Sequence, residues 1–218
     1  MKCLTHNFIT PNPSLYHPPH KNTIHVHYRI FDILNRMLVK NYPLLDENTP
    51  VVFCDGTAIY QELAKQYNTH KTGLYILAPS GAGKTYFVNE QKAKNWIDGD
   101  VLWMSAKAHP EGEWWTKPLA EINEIERRSD VITTEAKKLG FWIIGSDCYS
   151  IIPDAIVIPD WETHKKYIQT REHGVYDGGA TTKDFSKVLR SRKYMESFVD
   201  KGVPSFKSFS EATQFLVK

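Results

Sequence analysis

Cysteine is scarce: Cys3, Cys54 and Cys148 are scattered through the chain, odd in number and far apart. They make neither a disulfide framework nor a CxxC metal site, and a reducing compartment is the simpler reading. Charge of one sign is also lacking. The formal net charge is +2, so bulk charge argues for neither a nucleic-acid nor a membrane partner, and only a locally basic groove stays open. No stretch approaches the roughly 20 apolar residues of a membrane span, and the N-terminus carries no long apolar run. A soluble, cytoplasmic protein without membrane attachment is the expectation. Internal repeats and low-complexity tracts are not evident. What remains is a globular balance, 41% hydrophobic and 24% charged, in a length that suits one domain with an N-terminal appendage.

The composition divides the chain into an extension at 1–49, expected to pack on the rest, and a main domain at 50–218. The stretch from Met1 to Asn22 is rich in Pro, His and Asn and reads as loop. Ile30, Ile33, Leu34, Met37 and Leu38 then recur at helical spacing. Val51-Val52-Phe53-Cys54 has the look of a buried strand, followed by a helix from Thr57 to Gln66 with Ile59, Leu63 and Tyr60 inward. From Gly73 onward strands and helices alternate. Strands are expected at Leu74–Leu77, Trp96–Ile97, Phe141–Ile144, Ala155–Ile158 and Ser205–Phe206. A long helix should show one face through Leu119, Ile122, Ile125, Ile132, Ala136 and Leu139, closed by Gly140. Further helices are expected from Trp161 to Thr170, from Lys183 to Val199 (burying Phe185, Val188, Leu189, Met195 and Phe198), and after a Ser208/Glu211 capping box that precedes Ala212, Phe215 and Leu216. Such alternation implies an α/β fold with a mainly parallel sheet flanked by helices.

The strongest local signal is Ala78-Pro79-Ser80-Gly81-Ala82-Gly83-Lys84-Thr85, between the apolar strand Leu74–Leu77 and a helix that Lys84 and Thr85 open. Each part has a chemical reason. Gly81 and Gly83 let the backbone turn so that N–H groups of Ser80 through Thr85 converge on a phosphate, and the helix N-terminus adds partial positive charge. Lys84 can reach the β and γ phosphates of ATP, and the Thr85 hydroxyl can ligate Mg²⁺. The general Walker A pattern GxxxxGK[ST] begins with glycine, where this chain has Ala78. A small residue suffices there if φ is negative.

Shortly after comes Trp96-Ile97-Asp98-Gly99-Asp100, two carboxylates around a glycine at the C-terminal end of a strand. Ligands of open parallel sheets bind at that edge. A phosphotransferase needs a carboxylate to orient the acceptor hydroxyl and take its proton, or to hold Mg²⁺ through water. Asp100 is the first candidate for the acceptor side and Asp98 the second. Alone, an Asp-Gly turn is an ordinary surface feature.

Together, Ala78–Thr85 and Ile97-Asp98-Gly99-Asp100 resemble the small P-loop kinases of the adenylate-kinase-like group, which includes nucleoside and nucleotide kinases. Gluconate kinases and adenylylsulfate kinases carry a similar Asp-Gly-Asp. The resemblance implies a P-loop NTPase fold with five parallel strands over about Gly73 to Val217, and a mobile lid bearing arginines. Arg171 and Arg190 resemble the lid arginines by placement, flanking a glycine-rich loop at 172–180. Solvated surface charge is the plain alternative. Asp147, three residues beyond the Phe141–Ile144 strand, is a candidate for the metal's water shell or an ordinary loop aspartate.

Weaker signals remain. His25 and His27 lack further partners at ligand spacing and read as surface histidines. Trp103, Trp114 and Trp115 flank the segment from Lys107 to Lys117 and fit either the core or a stacking surface for an acceptor base. The resulting expectation is a kinase that transfers a phosphoryl group from ATP, with Mg²⁺, to a nucleoside, a nucleotide or a related small hydroxylated acceptor. A polynucleotide kinase acting on a 5′ hydroxyl or a hydroxymethylated base keeps nucleic acid open as a partner. A nucleotide-binding switch or assembly NTPase is the reading from another class. ATP versus GTP, the role of 1–49 and the oligomeric state are not legible.

Overall fold

The computed structural model describes Val51 and residues 57–110, 112–173 and 179–218. The extension at 1–49, with its helical stripe and His25 and His27, lies outside the described residues. So do 52–56, which include all but Val51 of the first expected strand, and 174–178 of the glycine-rich loop. Val51 is buried, and its carbonyl accepts from Ile59 N at 3.1 Å.

Five strands form one sheet: β1 (Leu74–Leu77), β2 (Trp96–Asp98), β3 (Trp142–Gly145), β4 (Ala155–Val157) and β5 (Ser205–Phe206). Every pairing is parallel, in the order β2-β3-β1-β4-β5. Leu74 pairs with Trp142 and Leu77 with Gly145, while Ile76 pairs with Ala155 on the other side. These strands read as nearly continuous apolar runs because a parallel sheet is covered on both faces. Alternation divides them. Ile76, Ile144, Ala155 and Val157 form one buried cluster with Ala78, Trp96 and, from the last helix, Phe209 and Ala212. Tyr75, Leu77, Ile97, Ile143 and Ile156 are buried on the opposite side, and each fully buried aliphatic side chain contributes roughly 1.5–3 kcal/mol.

The helices are α1 (Ile59–Ala64), α2 (Lys84–Glu90), α3 (Gly99–Ser105), α4 (Leu119–Lys138), α5 (Trp161–Glu172), α6 (Phe185–Glu196) and α7 (Phe209–Leu216). In α1, Ile59, Tyr60 and Leu63 are all buried, as their spacing predicts. Helix α4 buries Ile125, Ile132 and Ala136. It ends in a Schellman closure, with Phe141 N donating to Ala136 O and Gly140 N to Lys137 O. Gly140 has φ +85°, and a Cβ there would lie 2.0 Å from His70 O, so both conformation and space require glycine. At α7 the Ser208/Glu211 capping box is present in both directions.

Several expected core positions are not core. Leu119 is 72% exposed and Leu139 is also exposed, because they stand at the two ends of α4, past the sheet that its middle covers. Leu189 is exposed on α6, whose inward face carries Val188, Arg192 and Met195 instead. In α7, for which no inward face was expected, Ala212 makes the inner contact and Phe215 is about half exposed. The expected helix from Lys183 to Val199 is also broken: α6 is preceded by a 3-10 turn at Thr182–Asp184 and followed by another at Val199–Lys201. Helix α3 has no counterpart among the sequence expectations. Among the described residues no helix is long and apolar enough to cross a membrane.

Candidate functional site

In an all-parallel sheet the C-terminal ends of the strands share one edge. Here β1 lies between β3 and β4. The chain leaves β1 for β2 on one side and leaves β4 for β5 on the other. The crevice beside β1 is therefore the topological switch point where such sheets hold ligands. The loop after β1, Asp98 at the end of β2, Asp147 just past β3 and the start of α5 after β4 all meet this edge.

The β1–α2 loop is held from beneath. Ala78 N donates to Gly145 O at 2.9 Å, extending the β1–β3 pairing by one residue. Ala78 is fully buried, and Lys107 is the sole non-glycine residue with positive φ among those described. Alanine therefore fits the first position of the motif without strain. Gly81 has φ +82°, and a Cβ there would lie 2.6 Å from Ile168 Cγ1 on α5. Gly83 (φ +88°) leads into α2. Ala82 is buried, with its N–H on Pro79 O at 3.1 Å. The Lys84 side chain is 7% exposed and folds back so that Nζ is 3.5 Å from Pro79 O.

Asp98 connects this loop to the acidic motif. Its Oδ2 accepts from Thr85 Oγ1 at 2.7 Å, and its Oδ1 accepts from Asp100 N at 3.1 Å, capping α3. Asp98 is thus both the last residue of β2 and the N-cap of α3, which presents Asp100 in the first turn. Burial pushes the Asp100 carboxyl up to about 6. The neighbouring Asp98 and Asp147 charges add to this, and Lys84 and His109 oppose it. Asp100, Asp98, Lys84, Asp147 and His109 therefore form one electrostatic neighbourhood.

Asp147 Oδ2 lies 2.7 Å from His109 Nε2. Ser129 Oγ, 3.1 Å from the same nitrogen, already donates to Ile125 O. It can only accept from the histidine, so the Nε2 proton goes to Ser129, and Asp147 Oδ2, though close, accepts no hydrogen bond among the described residues. The His109 ring packs between Trp103 and Trp114, at centroid distances of 5.0 and 4.6 Å. Glu126 completes the group: burial, then the Asp147 and Asp130 charges, push it up to about 7. Trp103 belongs to the core, with Nε1 donating to Thr133 Oγ1 at 2.9 Å. Trp114 and Trp115 are half-buried at the rim.

On the other side of the loop, Ser80 is bonded at both ends. Its carbonyl meets His164 Nε2 at 2.9 Å, and its hydroxyl accepts from Ala180 N at 3.1 Å. Arg171 donates to Ala180 O at 2.5 Å and so fixes the same turn. Arg190 is elsewhere, exposed on α6 with its guanidinium 3.3 Å from Ser186 Oγ. The structure therefore brings Ser80 through Thr85, Asp98, Asp100, Asp147 and Arg171 to one edge and leaves Arg190 outside the group.

A Mg²⁺ ion takes few protein ligands and keeps several waters, relying on substrate phosphates for the rest. The Thr85 hydroxyl uses its proton on Asp98 and keeps its lone pairs for a cation, with a buried carboxylate directly behind it. That donor set fits Mg²⁺. It does not make an all-protein cage, and no cluster of three or more metal-ligating side chains occurs among the described residues.

His164, Arg192, His109 and Glu126 were not among the sequence candidates. His164 and Ile168 are four apart and therefore share one face of α5, a spacing that could have marked that face as the one lying against the loop. Compared with known proteins, the chain matches no family model, no curated protein and no solved structure.

Proposed function

We propose that this chain is a P-loop kinase that transfers the γ-phosphoryl group of ATP to a hydroxyl of a small acceptor such as a nucleoside. The observation that carries this reading is the 2.7 Å hydrogen bond from Thr85 to Asp98. It joins the end of the phosphate-loop motif to the start of the Asp-Gly-Asp motif across the edge of a parallel sheet.

On this reading the loop N–H groups and Lys84 cradle the β and γ phosphates, and Thr85 holds Mg²⁺ with Asp98 behind it. Bound Mg²⁺ would offset charge on the phosphate oxygens. Asp100 receives the proton of the acceptor hydroxyl, for which a carboxyl near 6 is suited at neutral pH. Arg171, anchored on the turn that touches Ser80, supplies positive charge on the remaining side. The carboxylates of Asp98, Asp100 and Asp147 favour an acceptor uncharged near its reacting hydroxyl over one with phosphate beside it, because like charges close to buried groups repel strongly.

The test is Lys84→Ala. Its expected outcome is loss of phosphoryl transfer with the circular dichroism spectrum and melting temperature of the folded protein retained. Turnover at the wild-type rate would remove Lys84, and with it the loop, from the site.

A further inference from the structure

The loop that carries Ser80 through Thr85 is too glycine-rich to hold one shape unaided. His164 lies directly beneath it, wholly buried on α5, with Nε2 2.9 Å from Ser80 O. Its other nitrogen, Nδ1, is 3.0 Å from Arg192 NH1, and the same arginine donates to Pro159 O at 2.8 Å. A guanidinium has donors only, so Nδ1 must be the acceptor. In a neutral ring the proton is then on Nε2, where it can donate to the Ser80 carbonyl. Burial, with the charges of Arg192, Lys84 and Arg171 around it, outweighs the opposing hydrogen bond to Ser80 and pushes the ring's pKa down to about 4. A protonated Nδ1 would point its N–H at the guanidinium. Gly81 closes the fit, since a Cβ there would also lie 3.4 Å from His164 Nε2.

We infer that His164 is a positioning residue for the phosphate loop. Its tautomer is fixed from both sides, by Arg192 donating to Nδ1 and by the Ser80 carbonyl accepting from Nε2, and it holds that carbonyl down so that the following N–H groups face the ligand. This rests on the phosphate-loop reading above. The two are separable, because Lys84 reports on the loop and His164 on its support.

The experiment is Mg-ATP binding by isothermal titration calorimetry with the full chain, comparing wild type, Lys84→Ala, His164→Leu and His164→Gln. Leucine fills similar space without a donor, whereas the glutamine amide can place an N–H near the position of Nε2. His164→Leu should weaken binding about tenfold or more, the scale of one lost hydrogen bond that orders a site. His164→Gln should stay within about threefold of wild type. Nitrogen NMR of the histidine-labelled protein at pH 7 should show a ring in the neutral Nε2–H form whose signals vanish in His164→Gln. In Arg192→Met that ring should keep the Nε2–H form, because the Ser80 carbonyl can only accept. Tight binding by His164→Leu, an equal loss in Leu and Gln, or a wild-type Nδ1–H ring would each overturn the assignment. If His164→Leu fails to fold, the tautomer and the Gln variant decide. Undiminished binding by Lys84→Ala would overturn the phosphate-loop reading and this inference together; weak binding by Lys84→Ala with tight binding by His164→Leu would overturn only the inference.

Discussion

Asp98 caps the helix that carries Asp100, accepting its backbone N–H at 3.1 Å, and the charge of Asp98 also raises the pKa of the Asp100 carboxyl. One residue therefore positions the other and adds to its proton affinity. Burial is the larger cause of the shift, from the ordinary 3.8 to about 6.

A base acts in its ionised form, so turnover should rise with pH through about 6 and level off above it. Asp100→Asn should remove that limb and lower kcat by about 10²–10⁴ while leaving Mg-ATP affinity within a few-fold. Stability should move the opposite way. A raised folded-state pKa favours the protonated form, so the wild type loses stability as pH rises from about 4 to about 6. Asp100→Asn, which never ionises, should melt higher than the wild type at pH 7. The pH dependence of kcat and of the melting temperature checks both. Equal losses of turnover and affinity would reassign Asp100.

Gly145 gives Trp103 its place. A Cβ on Gly145 would lie 2.3 Å from Trp103 Cη2 and 3.1 Å from Tyr75 Cε2, and one on Gly99 would lie 2.8 Å from the same indole atom. The indole cannot yield, because it is fully buried and bonded to Thr133. Gly145→Ala should therefore destabilise the fold by about 1–3 kcal/mol, the ordinary cost of overpacking a core. Since Gly145 O also accepts Ala78 N, the β1–α2 loop should loosen with it. Urea denaturation measures the first effect, and a stability within about 0.5 kcal/mol of wild type would contradict the packing argument.

The two arginines that flank the glycine-rich loop should separate in assay. Arg171 reaches Ala180 and, through it, Ser80, whereas Arg190 is in solvent on α6. Arg171→Ala should lower kcat roughly tenfold or more, and Arg190→Ala should have the smaller effect. The reverse order would mean that Arg190 moves onto the nucleotide during turnover.

The inner strands were legible because they are buried on both faces and therefore largely apolar. Leu74–Leu77 and Ser205–Phe206 keep their expected bounds, and the other three shift by one residue at one or both ends. Helix faces were less legible. Leu189 fits an apolar stripe on α6, but the buried face takes Arg192 with Val188 and Met195, and hydropathy assigns that arginine to solvent. Helix α3 was missed because Asp98-Gly99-Asp100 is also turn chemistry, and only the side-chain cap on Asp100 N turns it into a helix start. In the site, Lys84, Thr85, Asp98 and Asp100 could be read because a local motif carries them. His164 lies 84 residues from Ser80 in the chain, and His109 lies 20 from Ser129. Such contacts arise only when the sheet brings distant elements to one edge, and no local pattern records them.

The most direct test of the account is transfer from γ-labelled ATP to a panel of nucleosides, nucleoside monophosphates, sugar acids, adenylylsulfate and oligonucleotides with 5′ hydroxyls or hydroxymethylated bases. The expected result is label on a hydroxyl of an uncharged small acceptor, lost in both Lys84→Ala and Asp100→Asn. Label released only to water, at a rate that Asp100→Asn leaves unchanged, would contradict a phosphotransferase and point to a nucleotide hydrolase.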